Sequence, residues 1–277
     1  MGDRVHYYHA DGNALGGTLN HPLGSIISSQ AELSLPAAGG FTSKRTGNFN
    51  FGEIVRVDHA YTHALGSVSE KPNGGFTTLI SSVVEGLNIL EVVTCDRIVG
   101  QISVEHPRNG KRHPKVTFIG SQFVNLRIAG KPIIPKINPR LLTPSPEFPD
   151  TAAFYCDKFR QAVRDQHKAR GGHETLRQWI HDRYGWVESE EELKERGHLH
   201  CSLVDDFEVA DSVWGDFPGE RYGHCVHIKE IGNFYFGEVI IDQNSWRVIM
   251  LQAELGCPVS GKLSVSTGGA NGSTTGT

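Results

Sequence analysis

Two short segments concentrate imidazoles and thiols: Gly197-His198-Leu199-His200-Cys201 and Gly223-His224-Cys225-Val226-His227. On strands, side chains two positions apart share a face. His198 then pairs with His200 and Cys225 with His227, while His224 points the other way. A His-x-His pair can give two imidazoles to one metal ion while a facing strand supplies the rest, and zinc or copper suits such nitrogen and sulfur donors. Against this, the chain holds 14 histidines, and neither cluster has a carboxylate or second cysteine at a diagnostic spacing. The expectation is core or interface residues and no cofactor. A zinc or copper site on His198, His200, His224, Cys225 and His227 is the alternative.

A second candidate lies in a repeated word. Gly47-Asn48-Phe49-Asn50-Phe51-Gly52-Glu53-Ile54-Val55 returns as Gly232-Asn233-Phe234-Tyr235-Phe236-Gly237-Glu238-Val239-Ile240. Strand alternation puts Phe49, Phe51, Glu53 and Val55 on one face, and Phe234, Phe236, Glu238 and Ile240 on another. If the two strands are neighbours in one sheet or in facing sheets, Glu53 and Glu238 approach the separation of about 5–9.5 Å used by glycoside hydrolases. Aromatic neighbours would raise the pKa of at least one of them. The plainer expectation is that each glutamate bonds backbone amides or an arginine (Arg56, Arg221 or Arg247), and that the echo reflects symmetry of the fold. No catalytic residue is then assigned, with Glu53 and Glu238 as the alternative pair.

Other chemistries find little footing. There is no Gly-x-Ser-x-Gly elbow and no phosphate-binding Gly-x-x-x-x-Gly-Lys-Ser/Thr loop. Asp11-Gly12-Asn13-Ala14-Leu15-Gly16-Gly17 carries oxygen ligands but departs from calcium-loop spacing. Five widely spaced cysteines disfavour a disulfide framework. A formal charge of −4 leaves no basic excess to neutralise phosphates, so nucleic acid is not expected as a partner. No apolar run reaches the roughly 18–20 residues that span a bilayer. The opening residues show no signal peptide, which points to the cytoplasm or to export by a non-standard route.

The elements that must position these groups are mostly strands. Glycine is abundant, at 32 residues, and sits between short β-branched runs, as in all-β proteins with many turns. Residues 1–142 read as a β-rich region: a loop-rich opening with an alternating stretch at Ser25–Leu35, then runs at Glu53–His63, Phe76–Val84, Leu87–Thr94, Arg97–Glu105, Val116–Gly120, Phe123–Ile128 and Pro132–Ile137. Residues 143–197 read as a helical insertion. Asp150 caps a helix over Thr151–Ala169, a second spans Glu174–Arg183, and Ser189-Glu190-Glu191-Glu192 opens a third that runs to Arg196. Residues 198–267 complete the same β domain, and 268–277 read as a flexible tail by composition. The fold class expected is mainly β, an antiparallel sandwich or a barrel- or solenoid-like domain with a helical insertion at about 150–196.

Within Thr77–Ile133, three stretches carry a family likeness: Ser81-Ser82-Val83-Val84-Glu85-Gly86-Leu87-Asn88-Ile89-Leu90, Val93-Thr94-Cys95-Asp96-Arg97-Ile98, and Phe123-Val124-Asn125-Leu126-Arg127-Ile128-Ala129-Gly130-Lys131-Pro132-Ile133. This fifth of the chain resembles the repetitive β-rich segments of bacterial choice-of-anchor surface proteins. The resemblance implies a surface or structural role without catalysis and carries over no functional residue. With it, the sequence leads to a non-catalytic structural or binding protein that self-associates into a homo-oligomer. Strand edges offer the means of pairing. A metal-dependent or carbohydrate-active hydrolase is the alternative.

Overall fold

The computed structural model describes residues 5–70, 74–108, 114–142, 156–170, 183–209, 213, 215–242 and 245–275. The first part of the chain forms β1 (Val5–His21), β2 (Ser25–Gln30), β3 (Leu33–Ser34), β4 (Gly40–Thr46), β5 (Phe49–Phe51), β6 (Val55–Val57), β7 (His59–Val68), β8 (Phe76–Ile89) and β9 (Val93–His106). Short strands follow: β10 (Lys115–Thr117), β11 (Gln122–Val124), β12 (Arg127–Ile128), β13 (Lys131–Pro132) and β14 (Pro135–Ile137). The helical segment holds α1 (Asp157–Arg170), a 3-10 turn (Gly185–Glu188) and α2 (Glu190–Arg196). The chain then forms β15 (Leu199–Ser202), β16 (Val204–Phe207), β17 (Gly219–Tyr222), β18 (Cys225–Ile228), β19 (Gly232–Ile241), β20 (Ser245–Leu255) and β21 (Ser260–Thr275).

These strands make the expected mainly-β, antiparallel architecture, with no closed barrel among the described residues. One sheet runs β17-β18-β19-β20-β21-β1-β2, with β15 also on β19 and β3 on β1. The other runs β13-β12-β9-β8-β6-β5, with β7 on β8, β4 on β7, and β10 and β11 on β9. A small third sheet pairs β14 with β16. The two large sheets face each other, and small polar groups stitch their centres. Ser82 Oγ donates to the Asn13 carbonyl at 2.8 Å, and Ser266 Oγ donates to the Ser82 carbonyl at 2.7 Å. Both serines are buried, so these bonds satisfy polar groups that would otherwise oppose burial.

Several expectations change here. The opening is not loop-rich: β1 is a 17-residue strand whose small residues Ala10, Gly12 and Ala14 face the core. The run Leu87–Thr94 is not one strand, because Leu90 and Glu91 take left-handed conformations and close the hairpin between β8 and β9. Residues 268–275 are not a flexible tail. They pair with β1 on one side, and residues 268–271 pair with β20 on the other. Their glycines serve close approach rather than flexibility: a Cβ on Gly268 would stand 3.2 Å from Ile80 Cγ2 of the facing sheet, and one on Gly12 would stand 2.8 Å from its Cδ1. Ile80 fills the space those absent methyls leave.

The helical insertion is present where it falls within the described residues, as α1 and α2; Thr151–Tyr155 and most of the expected second helix lie outside them. Ser189 caps α2 as its sequence predicts, its side chain accepting from the Glu192 amide, and left-handed Gly197 ends the helix.

Candidate functional site

β19 shows how the chain builds its densest polar cluster. Phe234 and Phe236 point between the sheets and are fully buried. Strict alternation would send Glu238 the same way. Gly237 prevents this by adopting a left-handed φ of +64°. That conformation costs an L side chain roughly 1–2 kcal/mol. The reset places Glu238 on the outer face with Tyr235. At the same point the neighbour of β19 changes. The Phe236 amide donates to the His224 carbonyl at 3.0 Å at the end of the β18 pairing, and the Leu203 amide donates to the Gly237 carbonyl at 2.7 Å where β15 takes over.

The helical segment covers this junction. From α1, Gln166 exchanges two bonds with the backbone of Ser202, Nε2 to the carbonyl at 3.0 Å and the amide to Oε1 at 3.1 Å. Its side chain thus behaves like one more rung beside β15. His167 lies 2.8 Å from the His200 carbonyl and stacks on Tyr184, ring centres 5.0 Å apart.

Arg183 is the centre of the cluster. Its Nε and Nη2 donate to the two oxygens of Glu238 at 3.1 and 2.6 Å, and its Nη1 donates to Glu254 Oε1 at 2.9 Å. The guanidinium carbon lies 3.9 Å from the Tyr235 ring centre, and the Tyr235 hydroxyl donates to Glu254 Oε2 at 2.9 Å. The Tyr184 hydroxyl donates a short hydrogen bond to Glu238. Having given its proton there, it accepts from His224 Nε2 at 2.9 Å, which sets that histidine's tautomer. Glu238 is 2% exposed, and Tyr184, His224 and Cys225 are also buried.

The electrostatics follow from burial and pairing. Burial works against the Arg183 cation, but Glu238 outweighs it and holds the guanidinium firmly protonated. Burial pushes the Tyr184 hydroxyl well up, helped by Cys225 and Glu238, and pushes Tyr235 up alongside Glu254. Burial also opposes ionisation of Glu254, yet Arg183, Tyr235 and Lys262 together hold its carboxyl below the usual range. The imidazole of His200 is pushed down to about 4, chiefly by burial. Both tyrosines therefore stay neutral donors and Arg183 stays charged. Glu238, buried with both oxygens taken by the Arg183 guanidinium and one also by the Tyr184 hydroxyl, presents no free oxygen to a substrate.

The sequence candidates separate in space. Glu53 lies exposed in the turn between β5 and β6 of one sheet, while Glu238 points away from that sheet into the outer cluster. The two do not form an acid/base pair. Glu238 is held by Arg183, not by Arg56, Arg221 or Arg247. His198 and His200 do come together, ring centres 5.2 Å apart. His224 does not point opposite Cys225: both reach the Tyr184 hydroxyl, because His224 precedes β18 in a turn at left-handed Gly223. His227 lies farther along, 2.7 Å from Asn233 Oδ1. Among the described residues no group of three or more His, Cys, Asp or Glu is placed to hold a metal ion. Four of the five cysteines are buried, and Cys257 is exposed.

Sequence reasoning missed Arg183, Tyr184, Tyr235 and Glu254. Only Tyr235 left a signal, since it stands at one of the three positions where the two echoed words differ, and the only one not a swap of Ile and Val.

Fold and cluster together define an antiparallel β-sandwich with a helical cover fastened to one outer face by a buried, internally satisfied ion cluster. Residues 6–242 match the family described as a domain of unknown function (DUF8256), and the chain belongs to that family. No curated protein and no solved structure matches it. The match ends before β20 and β21, the two strands that join β19 to β1.

Proposed function

We propose that this chain is a non-catalytic structural or binding module that acts through its outer surfaces. The observation that carries this reading is the saturation of the polar cluster. Its carboxylates, guanidinium and phenols bond one another, so their energy goes into fixing the helical cover on the sheet. Removing one member of such a buried pair costs about 3–5 kcal/mol. The likeness of Thr77–Ile133 to choice-of-anchor surface proteins points in the same direction.

Self-association belongs to the same reading. Leu23 (75% exposed), Ile26 (79%) and Phe41 (69%) offer apolar contacts near the edge strands β2 and β4. Three of the edge strands are guarded: β2 carries a bulge opposite Leu15–Gly17, β4 carries Lys44 and Arg45, and β13 contains Pro132. At these three edges a homo-oligomer would join faces rather than extend a sheet. Light scattering of the purified protein should give a mass above that of one chain. Turnover of a glycosidic or ester substrate that disappears in Glu238→Gln would overturn the non-catalytic reading, as would stoichiometric zinc or copper lost in a His198→Ala/His200→Ala variant.

A further inference from the structure

The outer face of the large β19-containing sheet continues beyond the helical cover, onto β20, β21 and β1. Cross-strand register puts Asp11, Gly269 and Arg247 in one row. A Cβ on Gly269 would stand 3.3 Å from Asp11 Oδ1 and 3.7 Å from Arg247 Nε, so both side chains lie on the same face, over buried Gly269. Neither forms a side-chain hydrogen bond or ion pair among the described residues. In the adjacent row Asn13 lies opposite Thr267, and Asn13 Oδ1 and Thr267 Oγ1 are both buried with no hydrogen-bond partner among the described residues. Thr267 is only 9% exposed. Buried polar atoms lacking partners are uncommon and call for an explanation. In the opposite direction His9 pairs with Asn271, and Tyr7 stands 48% exposed. Tyr7 and Asp11 are four residues apart on an extended strand, roughly 13 Å.

We infer that this face binds a neutral carbohydrate chain, with Asp11 and Arg247 engaging sugar hydroxyls across Gly269 and Tyr7 stacking on a neighbouring ring. The inference rests on the binding reading above and gives it a ligand class. Each sugar hydroxyl both donates and accepts, which matches an acceptor-only carboxylate beside a donor-only guanidinium. The two charges cancel, so an anionic ligand meets Asp11 and a cationic one meets Arg247. A sheet face with an exposed aromatic ring suits the apolar side of a pyranose better than a peptide strand, which needs an edge.

Affinity electrophoresis tests this, with the intact chain run through gels containing hydroxyethyl cellulose, mixed-linkage β-glucan, xylan, galactomannan or dextran, and polygalacturonate as the acidic comparison. At least one neutral polymer should retard the protein. Arg247→Ala, Asp11→Ala and Tyr7→Ala should each weaken that retardation about tenfold or more, with thermal midpoints unchanged. Arg247→Lys should weaken it less, and Lys44→Ala on β4 should leave it intact. Retardation by none of the neutral polymers overturns the ligand class, as does retardation by polygalacturonate alone; both leave the native-mass test of the wider reading standing. Retardation indifferent to all three alanine variants overturns the location. Degradation of the embedded polymer overturns the non-catalytic reading instead.

Discussion

Gly47–Val55 and Gly232–Ile240 differ by Asn50 against Tyr235 and by a swap of Ile-Val for Val-Ile. Both copies carry a left-handed glycine at the sixth position, Gly52 at φ +56° and Gly237 at φ +64°. In the first copy the chain turns back there, and Phe51 pairs with Val55 in a hairpin. In the second the strand continues. β20 pairs with it on both sides of the glycine, and β18 and then β15 supply the other edge. The same local word becomes a turn where neighbours are few and a kink where they are many. Glu53 consequently meets solvent and Glu238 meets Arg183.

The largest expected difference between the copies lies in these glutamates. Glu238→Ala strands Arg183 beside the sheet and should cost about 3–5 kcal/mol in urea denaturation. Glu53→Ala should stay within about 0.5 kcal/mol. Equal losses would mean that the two environments are energetically alike, which their burial does not allow.

The phenylalanines should separate less widely. Phe236→Ala should cost about 3–5 kcal/mol, whereas half-buried Phe51→Ala should cost roughly 1 kcal/mol. The glycines sharpen the contrast further. Alanine at either incurs about 1–2 kcal/mol for the left-handed backbone. Gly52 opens on free space, while a Cβ on Gly237 meets Val204 Cγ2 at 3.0 Å. Gly237→Ala should therefore exceed Gly52→Ala by about 1 kcal/mol.

Another contrast concerns pH. Burial pushes His200 down to about 4, and burial aided by His6 does the same to His106 at the far end of the sandwich. Their folded pKa values lie below the unfolded value of about 6.5. As pH falls from about 6.5 towards 4 the unfolded chain takes up protons that the native one refuses, so stability declines across that window and is flat above it. Denaturation midpoints measured from pH 7.5 to 4.5 should show this decline, and His200→Gln should make it shallower by up to one proton. The first copy has no buried histidine of this kind beside Glu53.

Much of the β architecture could be read from alternation and turn residues, including β7, β8 and β9 in outline and the Ser189 cap of α2. Where reading failed, the missing information was tertiary. Gly268 and Gly272 look like linker residues until Ile80 and His6 are seen filling the space above them. Glu238 takes the opposite face from Phe236 because one backbone dihedral changes sign, and no periodicity reports that. Arg183 and Tyr184 lie in a helical segment about 55 positions before their carboxylate partner, too distant for any spacing rule.

The pairing of β1 with β21 sets a timetable for synthesis. Val5 lies opposite Thr275, and the ribosome adds about 5–20 residues per second. The long edge of β1 thus waits on the order of tens of seconds for its partner, with only β2 and β3 at hand to shield its other side. Throughout that interval the row of unpaired backbone groups on β1 is open to pairing with foreign strands.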